Sequence, residues 1–159
     1  LAKSCNDNLA INLVMGGHGT AGAGMVSWAP IRRKSEEIAD HVELNAGYRS
    51  KLVSQLSGGN QQKVLFGKCF GQDADIYIFD EPTVGVDMGT RTALYLLIKE
   101  LAEAGKAVVV ISSDLPEVMN LAHRMIVLAH GKITAELADD EMSEDLVLKH
   151  FFDESGAKQ

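Results

Sequence analysis

The sequence predicts an α/β fold in which a mainly parallel sheet with flanking helices follows a separate helical segment. Two observations predict the sheet. Ile76 to Phe79 and Ala107 to Ser112 are short apolar runs, the second with Val108, Val109, Val110 and Ile111 in succession, and a helix-length segment separates them. The first run also ends in two carboxylates, which places acids at the carboxyl edge of a sheet, where α/β proteins bind their ligands. The third observation concerns residues 1–53, which show helical spacing broken by a glycine-rich stretch rather than strand alternation. Boundaries are therefore expected at 53/54 and 138/139, giving a helical subdomain, an α/β core and a terminal helix with its tail.

Taken in order, Asn6 to Met15 fits a short helix or strand, Gly16 to Gly24 a loop, and Ile31 to Asn45 a helix started by Pro30. Ala23 to Pro30 reads as loop. Ser57 to Phe70 is helical, Ile76 to Phe79 a strand, and Gly89 to Ala104 a helix with apolar residues at Ala93, Leu96, Leu97, Ile98 and Leu101. Gly105 stands where a left-handed residue ends such a helix. Ala107 to Ser112 reads as a strand covered on both faces, and Leu115 to Ala122 as a short helix. Met125 to Leu128 and Ile133 to Leu137 flank His130-Gly131, the pattern of a tight hairpin. Glu141 to Phe152 closes the chain as a helix with Ser143 as its cap.

The chain has 159 residues, 22 acidic against 15 basic, for a formal net charge of −7. No basic field is available to attract a phosphodiester backbone, so nucleic acid is not an expected partner. Cys5 and Cys69 stand far apart with no metal-ligand spacing, which argues against a disulfide framework or zinc site and for a reducing, cytoplasmic setting. Leu9 to Met15 falls short of the ~20 apolar residues of a membrane span. His123 and His130 lack a second ligand at metal-binding spacing. Met119, Met125 and Met142 read as core or interface filler, Cys69 as buried packing, and Trp28 as a partly buried anchor.

The chemistry concentrates in two strings. Leu56-Ser57-Gly58-Gly59-Asn60-Gln61-Gln62-Lys63 opens a helix. Unpaired amides at a helix start carry the positive end of its dipole, two glycines permit close approach, and the Ser57 hydroxyl adds a donor, which together suit an anion. A serine-capped helix after a flexible turn would read the same way taken alone. Ile76-Tyr77-Ile78-Phe79-Asp80-Glu81-Pro82-Thr83 supplies the carboxylates. Asp80 could orient magnesium through water and Glu81 could polarise an attacking water, in a reaction governed by positioning and charge. A solvated turn is the plainer reading of Asp-Glu-Pro by itself.

Both strings together, in this order, resemble the ATP-binding-cassette (ABC) family of P-loop NTPases. By that resemblance residues 56–63 are the signature loop, with Ser57, Gly58, Gly59 and Gln61 contacting ATP. Asp75 to Glu81 is the Walker B strand with Glu81 as catalytic glutamate, and Val84-Gly85-Val86-Asp87 is the D-loop, whose Asp87 faces an opposing cassette. Ile111-Ser112-Ser113-Asp114-Leu115 matches the switch segment, with Ser113 where the family places a histidine against the terminal phosphate. A serine has neither that reach nor a titratable ring, which leaves this half's own site open to an active and an inactive reading.

The wording Asn60-Gln61-Gln62-Lys63 with Ser113 is similar to the second cassette of monosaccharide importers of the ribose, galactose and xylose kind. Close likeness covers roughly residues 50–138, and a nucleoside-importer group shares the wording. The resemblance implies ATP and Mg2+ as ligands, a head-to-tail partner cassette, transmembrane permease subunits and indirectly an extracytoplasmic sugar-binding protein. It also implies a cytoplasmic location, peripheral on the inner face of the membrane. A non-transport cassette ATPase, which the acidic balance disfavours, and a purely structural fragment are the alternatives; ATP binding that requires a partner cassette separates the latter.

A lysine loop G-x-x-x-x-G-K-[ST] is missing from the sequence. Gly17-His18-Gly19-Thr20-Ala21-Gly22 has the glycine spacing, but Ala23 and Gly24 follow it where lysine and hydroxyl belong. In the family that loop lies before the helical subdomain, so the chain, which starts at Leu1 rather than Met, is expected to be truncated and inactive alone.

Overall fold

A computed structural model describes residues 2–15, 20–21 and 25–152. They fall into two compact units, Leu1–Val109 and Val110–Gln159, with the division inside a strand. The glycine-rich candidate loop lies largely outside the described residues.

In the first unit the helical segment comprises α1 (Cys5–Met15), a two-residue hairpin of β1 (Thr20–Ala21) and β2 (Met25–Val26), and α2 (Trp28–His41). The run 23–30, read as loop, therefore contributes β2 and the start of α2, which begins three residues before Ile31 and ends at His41 rather than Asn45. Pro30 sits in the first turn, where its missing N–H removes no intrahelical bond. Trp28, in that same turn, is 61% exposed rather than partly buried.

The helix α3 (Gly58–Phe70) packs against α1, α2 and α4 (Met88–Glu103), and it is shaped for that crowding. A Cβ on Gly67 would stand 2.5 Å from Leu9 Cδ2 and 3.2 Å from Ile38 Cγ2, so only glycine lets the three helices come this close. Leu9, Leu13, Ile31, Ile38, Ala39 and Val42 make the dry interior between them. The Asn12 side-chain amide crosses to the Lys68 carbonyl at 2.9 Å, tying α1 to the end of α3.

On its other side α3 meets β3 (Ile76–Asp80). Phe66 stacks on Phe79 with ring centroids 4.6 Å apart and planes 5° from parallel, and Tyr77 continues the stack. Alternation along β3 buries Tyr77 and Phe79 and exposes Ile76, Ile78 and Asp80. β3 pairs with β4 (Ala107–Ile111) after the α4 crossover. The Ala107 amide donates to the Asp75 carbonyl at 2.9 Å, so the strands start side by side and run parallel. This is the α/β architecture that the apolar runs predict. The expectation that β4 is covered on both faces does not hold: Val109 is 48% and Ile111 49% exposed, beside Ile76 and Ile78 at 64% and 66%. Continuous apolar sequence reports the burial a strand is suited to, and among the described residues one face stands exposed. Gly105 ends α4 in the left-handed region at φ +80°, as its position suggests.

The second unit holds α5 (Leu115–Leu121), the antiparallel pair β5 (Arg124–Ala129) and β6 (Lys132–Ala138), and α6 (Glu144–Phe152). His130 (φ +52°) and Gly131 (φ +74°) form the tight turn, both left-handed as a type I′ hairpin requires. Met125, Val127, Leu137 and Val147 are its core, with Met119 and Met142 packed against them. The Ser143 hydroxyl accepts from the Leu146 amide at 3.4 Å and caps α6, which begins after a short 3-10 turn at Asp139–Glu141.

Gly67→Ala is expected to destabilise the first unit by about 1–3 kcal/mol through overpacking. Gly71→Ala is its control: a Cβ there meets nothing closer than 3.5 Å and the backbone is right-handed, so its effect should stay within about 0.5 kcal/mol. Denaturant midpoints of the two variants check the difference.

Candidate functional site

Every candidate residue of the first unit lies in one of two turns. The first is the start of α3. Ser57 precedes the helix in extended conformation (φ −61°, ψ 156°) and is exposed, as is Gly58, whereas Gly59 is buried. The Ser57 side chain makes no capping bond to the first-turn amides; its hydroxyl oxygen accepts from Asn60 Nδ2 at 2.9 Å. An N-cap serine would ordinarily spend that oxygen on the amide two or three residues on. The first-turn amides therefore keep their positive potential without an internal acceptor from Ser57. Gln61 folds back, its Nε2 donating to the Leu56 carbonyl at 2.9 Å, and so braces the turn from beneath.

The second turn leaves the end of β3. Asp80 closes the strand on its exposed face, and half-buried Glu81 follows at φ +48°. A left-handed backbone costs a residue with a Cβ roughly 1–2 kcal/mol, and such strain persists only where the surroundings over-determine it. Here buried Pro82 and Thr83 follow directly, with Thr83 only 2% exposed, and the Val84 amide closes the turn on the Glu81 carbonyl at 3.3 Å. Gly85 at φ +74° then reverses the chain into α4, which Asp87 caps. Asp87 Oδ1 accepts from the Thr90 amide at 2.9 Å and Oδ2 from the Thr90 hydroxyl at 3.0 Å. These bonds, the Thr90 amide first, hold the Asp87 carboxyl below the usual carboxylate range.

The two turns touch. A Cβ on Gly58 would lie 3.0 Å from the Gly85 carbonyl oxygen, and one on Gly59 would lie 2.8 Å from Thr90 Oγ1. The glycines thus serve the fold itself as well as leaving the outer surface of the turn low. Residue order carries no sign of this second reason, and Thr90 is not singled out by the sequence motifs. The Asp87-x-x-Thr90 spacing of a helix cap was the available signal for Thr90.

Ser113 belongs to the second unit. It is exposed in the turn before α5, where the Asp114 amide donates to Ser112 Oγ at 3.0 Å and Asp114 caps the helix through the Glu117 amide. Burial pushes the Cys69 thiol up against the opposing charge of Lys68, in keeping with a packing role. Among the described residues no three His, Cys, Asp or Glu side chains gather as a metal site, and no helix is long and apolar enough to cross a membrane.

Comparison with known proteins gives these turns a context. A family model described as ABC transporter matches residues 4–84. A ribose import ATP-binding protein of Mesorhizobium japonicum is 42% identical over 130 residues, covering 79% of this chain and 26% of its own. A xylose import ATP-binding protein of Geobacillus kaustophilus is 42% identical over 116 residues, covering 73% of this chain and 23% of its own. The chain thus spans about a quarter of the length of the curated relatives it matches. A dimeric ATP-binding cassette, in a post-hydrolysis state with ADP and phosphate bound, superimposes with a TM-score of 0.75 at 27% identity. That match covers 86% of this chain and 57% of the cassette.

Asp87→Ala should lower thermal stability at neutral pH, because the folded state favours the ionised carboxylate. The deficit relative to the parent chain should be complete above the unfolded carboxyl pKa of about 4 and should close as pH falls through the lower folded value. Melting curves of both chains across that range check the sign.

Proposed function

This chain belongs to the ABC transporter family, and from that premise we propose that it is the signature-bearing part of the ATP-binding subunit of a sugar importer. The observation that carries the reading is the open start of α3, with Ser57 and Gly58 exposed and no capping bond from Ser57, braced against the turn that follows Glu81. An exposed helix start with unspent amides suits the terminal phosphates of a nucleotide. The nucleotide gripped here is one held by another cassette, a reading that the dimeric state of the solved cassette supports. The relatives that match are import proteins for ribose and xylose, which supports a monosaccharide as cargo. The dimeric state of the solved cassette supports a second cassette as partner, taken here as head-to-tail.

In this reading Ser57, Gly58 and Gly59 close over a partner's ATP, with the Ser57 hydroxyl and the first-turn amides donating to phosphate oxygens. Contacts that exist only in the closed pair make ATP favour closure by its differential affinity, and loss of the terminal phosphate releases it. Glu81 polarises the attacking water in the cassette's own site, and Asp87 reaches towards the partner across the closed pair. Ser113 occupies the switch position and offers a hydroxyl in place of a titratable ring. Helices α1 and α2 are the surface offered to transmembrane permease subunits, which receive sugar from an extracytoplasmic binding protein. The assembly sits peripherally on the inner face of the membrane. This chain alone does not hydrolyse ATP.

Asp80 fits a magnesium-linked role of one kind. An exposed single carboxylate, with no cage of protein donors among the described residues, suits an ion held mainly by water and phosphate oxygens. Bound there, magnesium would offset phosphate charge, with Asp80 holding it through water.

Ser57→Arg in the intact subunit should stop turnover at the partner's site while leaving nucleotide binding there measurable, because the long cation obstructs the turn without touching the lysine loop. ATPase activity equal to the parent's would remove Ser57 from the site. Glu81→Gln should lower kcat at the subunit's own site by roughly 10²- to 10⁴-fold, the range for a lost general base, with nucleotide affinity retained; steady-state turnover and equilibrium binding measure the two.

A further inference from the structure

Thr90 stands outside the two motifs, in the first turn of α4, yet its side chain meets both turns. Its amide and hydroxyl satisfy one oxygen each of the Asp87 carboxylate, at 2.9 and 3.0 Å. The same side chain occupies the space above Gly59: a Cβ on that glycine would meet Thr90 Oγ1 at 2.8 Å, Cγ2 at 3.1 Å and Cβ at 3.2 Å. Next to this contact, Gly58 lies against the Gly85 carbonyl oxygen, so the backbone of the Asp87 turn and that of the Ser57 turn are also in direct contact.

We propose that Thr90 is a positioning residue that locks Asp87 to the Ser57–Gly59 turn, so that the two groups this chain presents to a partner cassette move as one body. The proposal rests on the reading of both groups as parts of a shared nucleotide site. The chemistry gives the lock its consequence. Phosphoryl transfer is catalysed mainly by positioning and charge, so a small displacement of a phosphate-gripping turn relative to Asp87 is felt in turnover. A branched hydroxyl residue suits the post on both counts: Oγ1 donates to Asp87, and Oγ1 and the methyl together fill the space above Gly59. Serine keeps the hydrogen bond, and valine keeps the branched shape without it.

The test uses the full-length subunit assembled with its partner cassette and permease, measuring kcat, KM for ATP and melting temperature. Thr90→Val, which keeps the shape and the amide bond, should lower kcat roughly 10-fold or more with KM and melting temperature near the parent's. Thr90→Ser should stay within about threefold of the parent, since it keeps the bond that carries most of the restraint. Unchanged kcat in Thr90→Val overturns the proposal, as does an equal loss in both variants or a loss that follows the folded fraction. Failure of the underlying reading is separate: it appears as full ATPase activity in Ser57→Arg, whatever the Thr90 variants do.

Discussion

The stack of Phe66 on Phe79 is the contact on which the first unit depends. It joins the helix that begins at Ser57 to the strand that ends at Asp80, and these two elements carry nearly all of the unit's candidate chemistry. Nearly parallel rings at 4.6 Å bury a large apolar area and fix direction as well as distance, which aliphatic contacts do less well. With that contact set, α3 cannot slide along β3 without losing ring overlap. Gly67 removes the remaining freedom on the opposite side, where Leu9 and Ile38 lie too near for any side chain. The start of α3 is then held from both sides, with no capping bond from the Ser57 side chain to its first-turn amides.

Rigidity of this kind bears on the carboxylates as well, which sit at the end of a strand with one face exposed among the described residues. Ile76 and Ile78 share that face with Asp80, by the two-residue period of the strand. An apolar face of this extent calls for cover. Glu81 is treated differently from Asp80. It is turned out of the strand into a left-handed conformation by the Pro82-Thr83 anchor, which separates two adjacent acids into two environments: one exposed, one half-buried.

Much of this was legible beforehand. The apolar runs announced β3 and β4, His130-Gly131 announced the hairpin, Gly105 the end of α4, and the spacing of Ser57-Gly58-Gly59 from Asp80-Glu81 announced the family. Errors arose where periodicity is blind. Trp28 was expected to anchor because aromatics usually do, but the first turn of α2 turns it to solvent. Val109 and Ile111 were expected under cover on both faces because a strand's sequence carries no record of which neighbours are present.

The sequence by itself determined most of the elements and the family, because these depend on residue type and short-range spacing. Only the tertiary structure decided why Gly58, Gly59 and Gly67 are glycines, and that Thr90 bridges the two turns. Those facts arise from atoms brought within van der Waals range by helices distant in the chain, and a clearance of 3 Å between them leaves no trace in the order of residues.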